Sequence, residues 1–151
     1  MDEIINGLGS FDGVWRRIED ADSGAPESRL REYIAGEARS AAAYVHLKST
    51  VCGFSRVFTS MERDERRHLA RLQLEYFLLT GDSVTPEPCA PPSGGALSLL
   101  RECFLAKKAT AAEYASAAKA FPQLRALFDN MSSDELRHAE TLRSIIAGML
   151  R

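Results

Sequence analysis

Asp64-Glu65-Arg66-Arg67-His68 and Asp134-Glu135-Leu136-Arg137-His138 are two copies of one pattern, Asp-Glu-x-Arg-His, and 134 − 64 = 70 residues separate them. On a helix, Glu and His three residues apart project to the same side, so a carboxylate oxygen and an imidazole nitrogen can reach one metal ion. Two such helices facing each other could hold two ions. The register extends well beyond the motif. Adding 70 carries Leu30-Arg31-Glu32 onto Leu100-Arg101-Glu102, Ala41-Ala42 onto Ala111-Ala112, and Tyr44 onto Tyr114. It also carries Phe58 onto Phe128, Met61 onto Met131 and Leu72 onto Leu142, with no gap anywhere. A match of this length points to two helical hairpins of common design.

Breakers divide the chain into four long helices. Residues 1–26, with a short amphipathic piece at Val14, Trp15 and Ile18 before a polar turn, are expected to cap one end of a single domain spanning 27–151. The first long helix is predicted from Glu27 to Val51, with Leu30, Ile34, Ala38, Ala41 and Val45 as its apolar stripe. Cys52-Gly53-Phe54 breaks it, and the second helix runs to about Leu79, where Gly81-Asp82 stops it. Residues 83–95 hold four prolines and two glycines, too many for a helix. Extended at about 3 Å per residue, this stretch can run back along a helix of some 20 residues, so that helices two and three run parallel. The third helix is expected over Ala96 to Ala120 and the fourth over Pro122 to Met149, with Pro122 at a first helical position. The predicted architecture is all-α: a four-helix bundle of two antiparallel hairpins joined by one long crossover.

A chain with 45% hydrophobic and 26% charged residues is ordinary for a globular domain. Net charge of −2 gives no electrostatic reason to expect nucleic acid or an anionic membrane as partner. No apolar run approaches the length of a membrane span and the N-terminus does not resemble a signal peptide, so a cytoplasmic location is expected. Cys52, Cys89 and Cys103 are odd in number and widely spaced, which argues for reduced thiols and against a Cys-x-x-Cys iron site.

Glu37 lies seven residues before Tyr44, on nearly the same helical face, in the segment Ala35-Gly36-Glu37. With Glu65, His68, Glu135 and His138 it makes a candidate metal-ligand set. These residues together resemble the ferritin-like di-iron carboxylate proteins, and the first-helix segment resembles that of rubrerythrins. The resemblance covers about residues 27–149. It implies a ferritin-like bundle holding iron or manganese, with Asp64 and Asp134 accepting from the outer N–H groups of His138 and His68, and Arg67 and Arg137 bracing the carboxylates. It further implies an oxidoreductase acting on peroxide or oxygen, served by an external electron donor and assembled as a homo-oligomer, in the first instance a dimer. Tyr44 and Tyr114 are candidates to hydrogen-bond the ligands or to take part in catalysis.

One position departs from the pattern. The third-helix equivalent of Glu37 is 37 + 70 = 107, a lysine, and an ammonium has no lone pair to give a metal. Glu102 and Glu113 flank it about 140° and 120° around the helix and do not replace it. Two divalent ions with Glu37, Glu65, Glu135 and charged Lys107 sum to 4 − 3 + 1 = +2, which is costly in a buried site, whereas one ion gives 2 − 3 + 1 = 0. Three states therefore compete: one ion with Lys107 paired to a carboxylate, two ions with Lys107 neutral or displaced, and no ion but a Lys–Glu network. The last corresponds to a metal-free descendant with a structural or protein-interaction role.

Overall fold

Glycine and proline set the punctuation, and apolar periodicity sets what lies between. The computed structural model describes residues 26–151, so the predicted capping segment lies outside the described residues apart from Pro26, the first residue of a helix. The described chain forms four long helices: α1 Pro26–Thr50, α2 Ser55–Thr80, α3 Ala96–Ala120 and α4 Arg125–Met149. No strand occurs among the described residues. A single 3₁₀ turn, Pro122–Leu124, precedes α4. Pro122 therefore opens this tighter turn rather than the α-helix itself. The turn lets Leu124 into the core.

Gly81 ends α2 in the left-handed conformation, φ 77°, and its N–H donates to the Phe77 carbonyl at 2.8 Å. A Cβ added there meets nothing within 4 Å, so only the backbone would resist a side chain. Gly81→Ala is expected to lower stability by about 1 kcal/mol in urea unfolding without changing the m-value.

α1 packs chiefly on α2, and α3 on α4. The contacts Lys48–Glu62, Glu37–His68 and Glu27–Tyr76 descend along α2 as they climb toward the start of α1, the signature of an antiparallel hairpin. Lys107–Glu135, Ser132 Oγ–Ala111 O and Phe121–Phe128 give the second hairpin the same sense. Residues linked by the 70-residue register are buried in pairs: Leu30 and Leu100, Ala41 and Ala111, Tyr44 and Tyr114, Phe58 and Phe128, Met61 and Met131, Leu72 and Leu142.

The α1 stripe differs from the expected one. Tyr33, Glu37, Tyr44 and Leu47 join Leu30, Ile34 and Ala41 inside, while Ala38 is half-buried and Val45 is 41% exposed. Val45 lies 100° beyond Tyr44 on the helix, and the larger ring takes the core position. Between α2 and α3 no helix forms. Val84 packs on the core, and Gln73 donates to its carbonyl at 2.9 Å. Pro86 to Pro92 line clefts with Ala38, Ala42 and Val45 of α1 and with Leu99 and Glu102 of α3. Among the described residues, no helix is long and apolar enough to cross a membrane.

Candidate metal centre

All four helices deliver an ionisable side chain to one interior layer. Glu37 comes from α1, Glu65 and His68 from α2, Lys107 from α3, and Glu135 and His138 from α4; none is more than 3% exposed. One apolar cluster, with Tyr33, Tyr76, Phe121 and Phe128, lies to one side of the layer. Another, with Leu47, Phe58, Leu100 and Leu142, lies to the other. Burying a charge costs several kcal/mol unless it is paired, so the arrangement must be read as a set of partners.

The α2–α4 side carries the repeat as a near-symmetric network. His68 Nε2 donates to Asp134 at 2.9 Å, and His138 Nε2 donates to Asp64 at 2.9 Å. Each arginine then bridges both aspartates: Arg67 at 3.0 Å to Asp64 and 3.2 Å to Asp134, Arg137 at 3.1 Å to Asp64 and 2.6 Å to Asp134. Burial raises the Asp64 and Asp134 carboxyls, but the His138 and His68 hydrogen bonds, with Arg137, outweigh it and hold both below the ordinary range. Both rings are thereby fixed with Nδ1 turned inward.

Inside the layer the symmetry fails, and Lys107 is the reason. Its ammonium lies 2.8 Å from Glu65 and 2.6 Å from Glu135, bridging the two carboxylates. His138 Nδ1 faces the same Glu65 oxygen at 2.8 Å. On the opposite side, His68 Nδ1 is 3.3 Å from Glu37 and 3.6 Å from Glu135, and the Tyr114 hydroxyl donates to the other Glu37 oxygen. Ligand atoms of Glu37, Glu65, His68 and Glu135 all lie within 4.8 Å of one another. His138 falls outside this group of four. The five residues expected as one ligand set are thus brought into one layer but divided: the Lys107 ammonium stands between Glu65 and Glu135, and His138 Nδ1 faces Glu65 alone.

The protonation balance follows from these neighbours. Burial would pull Lys107 down, yet Glu65, Glu135 and Glu37 hold it above its ordinary value, so the ammonium stays charged. Burial would likewise depress His68, but Glu37, then Asp134, lift it to about 9. Burial raises Glu65 and Glu135 against the pull of His138 and Lys107 respectively. Glu37 ends lower than usual, since His68 overcomes its burial.

Glu65 Oε2 and Glu135 Oε1 are buried without a hydrogen-bond partner among the described residues. The other oxygen of each glutamate meets the Lys107 ammonium, at 2.8 Å for Glu65 and 2.6 Å for Glu135. Buried carboxylate oxygens grouped with an imidazole nitrogen are a donor set suited to a divalent cation. Glu37, Glu65, His68 and Glu135 could hold one metal ion between them.

Several residues were legible only in part. Tyr114 holds Glu37, whereas the Tyr44 hydroxyl has no hydrogen-bond partner among the described residues, and the Tyr44 ring lies under the Lys107 ammonium at 5.6 Å. Glu102 and Glu113 are exposed, as their helical phase predicts. Cys103 is half-buried, and burial raises its thiol to about 11 despite Lys107 nearby. Tyr33, which packs edge-on against Tyr114 at 5.0 Å, was missed; its position four residues before Glu37 was the available signal. Also unforeseen is an apolar groove of about 560 Å³ between α3 and α4, remote from the charged layer and lined by Leu97, Phe104, Leu105, Ile146 and Leu150 with Arg101 and Arg143.

Compared with known proteins, the chain matches no family model, no curated protein and no solved structure.

Proposed function

We propose that this chain is a ferritin-like four-helix bundle that binds one divalent ion, iron or manganese, through Glu37, Glu65, His68 and Glu135, with Lys107 taking the place of a second ion. The observation that carries the reading is the position of the Lys107 ammonium, between Glu65 and Glu135 and on the His138 side. The fixed +1 there makes a single divalent ion electrically neutral with three glutamates, 2 − 3 + 1 = 0. The bundle topology has its own support. Tyr114–Glu37 and Lys107–Tyr44 run α3 antiparallel to α1, and Asp64–His138 with His68–Asp134 run α4 antiparallel to α2. On that reading α2 and α3 are parallel, and residues 81–95, lying against α1 and α3, are the crossover.

A bound iron or manganese ion would supply one-electron redox chemistry toward oxygen or peroxide, with electrons from an external donor. The chain's own residues have separate tasks. Asp134 holds the His68 ring in the orientation that turns Nδ1 inward, and Tyr114 fixes one oxygen of Glu37. The aspartate–arginine network ties α2 to α4 on that side. A second reading, a metal-free polar core with a structural or interaction role, draws on the same lysine, since Lys107 already partners two of the three glutamates.

Titration of the chelator-treated chain with Mn(II) or Fe(II) under nitrogen separates the two. One equivalent is expected to bind, raising the melting temperature, with about 2.7 kcal/mol of stabilisation at a hundredfold excess over Kd. His68→Ala should lower metal content and abolish the stabilisation together. Absence of bound metal with an unmoved melting temperature establishes the metal-free core instead.

A further inference from the structure

The charged layer is spanned by ion pairs on one side and reached by a cleft on the other. Arg67, Arg137, Asp64 and Asp134 bridge α2 and α4. Between α1 and α3, the small residues Gly36, Ser40 and Thr110 leave a cleft with two arms. One arm, about 440 Å³, is lined by Glu32 and Glu113 and reaches Glu37 and Tyr114. The other, about 250 Å³, is lined by Glu102 and Cys103 and reaches Tyr44 and Lys107. Their electrostatics are opposed: the first descends past exposed carboxylates to the buried Glu37, while the second ends at a resident ammonium.

We propose that the Glu32–Glu113 arm is the entry route for a hydrated divalent cation, delivering it to Glu37 and then to the Glu37–Glu65–His68–Glu135 group. The inference rests on the metal-binding reading above and adds to it a direction of approach. Glu32 and Glu113 are exposed and touch none of the four ligands, so they act on the rate of arrival and not on the bound state. Arg39 stands where both arms open and has no ion pair among the described residues, so its charge opposes entry. A route of this kind concentrates cations by its field, an effect worth tenfold or more in association rate that fades with salt. Gly36 lines both arms, and a Cβ there meets only the end of Arg39, at 3.9 Å, so a larger side chain can be housed there while narrowing the opening.

The test uses the full chain and Mn(II) alone, with association followed by stopped flow against a fluorescent chelator. The double variant Glu32→Lys, Glu113→Lys is expected to slow association about tenfold at low ionic strength, to lose the salt dependence of the wild type, and to keep a stoichiometry of one. Arg39→Glu should speed association, and Gly36→Leu should slow association and dissociation together. Glu102→Lys, in the other arm, should leave the rate within twofold. Equal slowing by Glu102→Lys reduces the effect to net charge and overturns the route, as does an unchanged rate in the double variant while Mn(II) still binds. If the wild type takes up no Mn(II), the metal-binding reading and the route fail together.

Discussion

On the single-ion reading proposed above, Lys107→Glu is expected to raise bound divalent metal from one ion toward two. The substitution puts a carboxylate where the ammonium now bridges Glu65 and Glu135, on the side where His138 Nδ1 faces Glu65. It changes the two-ion charge sum from +2 to zero, removing the electrostatic bar to a second ion. Without metal the same change places four acids together with the Lys107 ammonium gone, and loss of a buried partner of this kind costs about 3–5 kcal/mol. Glu65 and Glu135 already sit above the ordinary carboxylate range through burial. Groups raised in this way favour the folded state fully below the unfolded value of 4.5 and lose that contribution as pH rises through the folded value. The metal-free variant should therefore be least stable near neutral pH, recover on acidification, and recover at neutral pH on adding Mn(II). Metal content by mass spectrometry and unfolding between pH 4 and 8 give the answer. A stoichiometry that stays at one, with stability indifferent to pH and metal, would remove Lys107 from its assigned role.

The helices and the interior layer were largely readable from sequence because both rest on spacing. Two Glu-x-x-His pairs at a 70-residue offset demand the same phase on two helices, and the residues sharing that offset, from Leu30 and Leu100 to Leu72 and Leu142, are buried in pairs. Gly53 and Gly81, both at positive φ, lie beside the breaks they were expected to make. Periodicity misjudged Val45 because it ranks residues by polarity, and Tyr44, with a polar tip, outcompetes Val45 for the core through its ring. The 3₁₀ turn at Pro122 was invisible for a different reason. Proline marks a helix start without saying which helix type follows.

The divided site was beyond a one-dimensional reading. Charge counting at Lys107 identified one ion, two ions or none as competing states, but not where the ammonium would go. That depends on side-chain reach: the four-carbon stem of Lys107 extends to Glu65 and Glu135 and leaves Glu37 to His68 and Tyr114. The doubled arginine bridges depend equally on helix separation, since each guanidinium must span aspartates of both α2 and α4. The open seam between α1 and α3 did leave a trace, the small residues Gly36, Ser40 and Thr110. Their meaning becomes clear only once the two helices face one another.

Metal binding is expected to release about one proton per ion near pH 7.5, and the metal-free chain is expected to lose stability as pH rises from neutral toward 9. Both effects come from His68. Burial disfavours its charged form, but the Glu37 carboxylate at 3.3 Å and Asp134 at 2.9 Å lift it from 6.5 to about 9. The imidazolium of the metal-free state must give up its inner proton before Nδ1 can donate a lone pair. Because the folded value lies above the unfolded one, the stabilisation is complete below pH 6.5 and vanishes as pH passes about 9, a change of roughly 3 kcal/mol for a side chain only 4% exposed. With saturating Mn(II) this loss should disappear, since His68 would be held in its deprotonated form as a ligand, and affinity should rise about tenfold per pH unit through the same window. Calorimetry in buffers of different ionisation enthalpy counts the released proton, and unfolding from pH 6 to 10 follows the stability. In His68→Ala the loss between pH 6.5 and 9 should be absent from the metal-free chain; if it persists there, another group is titrating. Metal binding without proton release would place the ion away from His68.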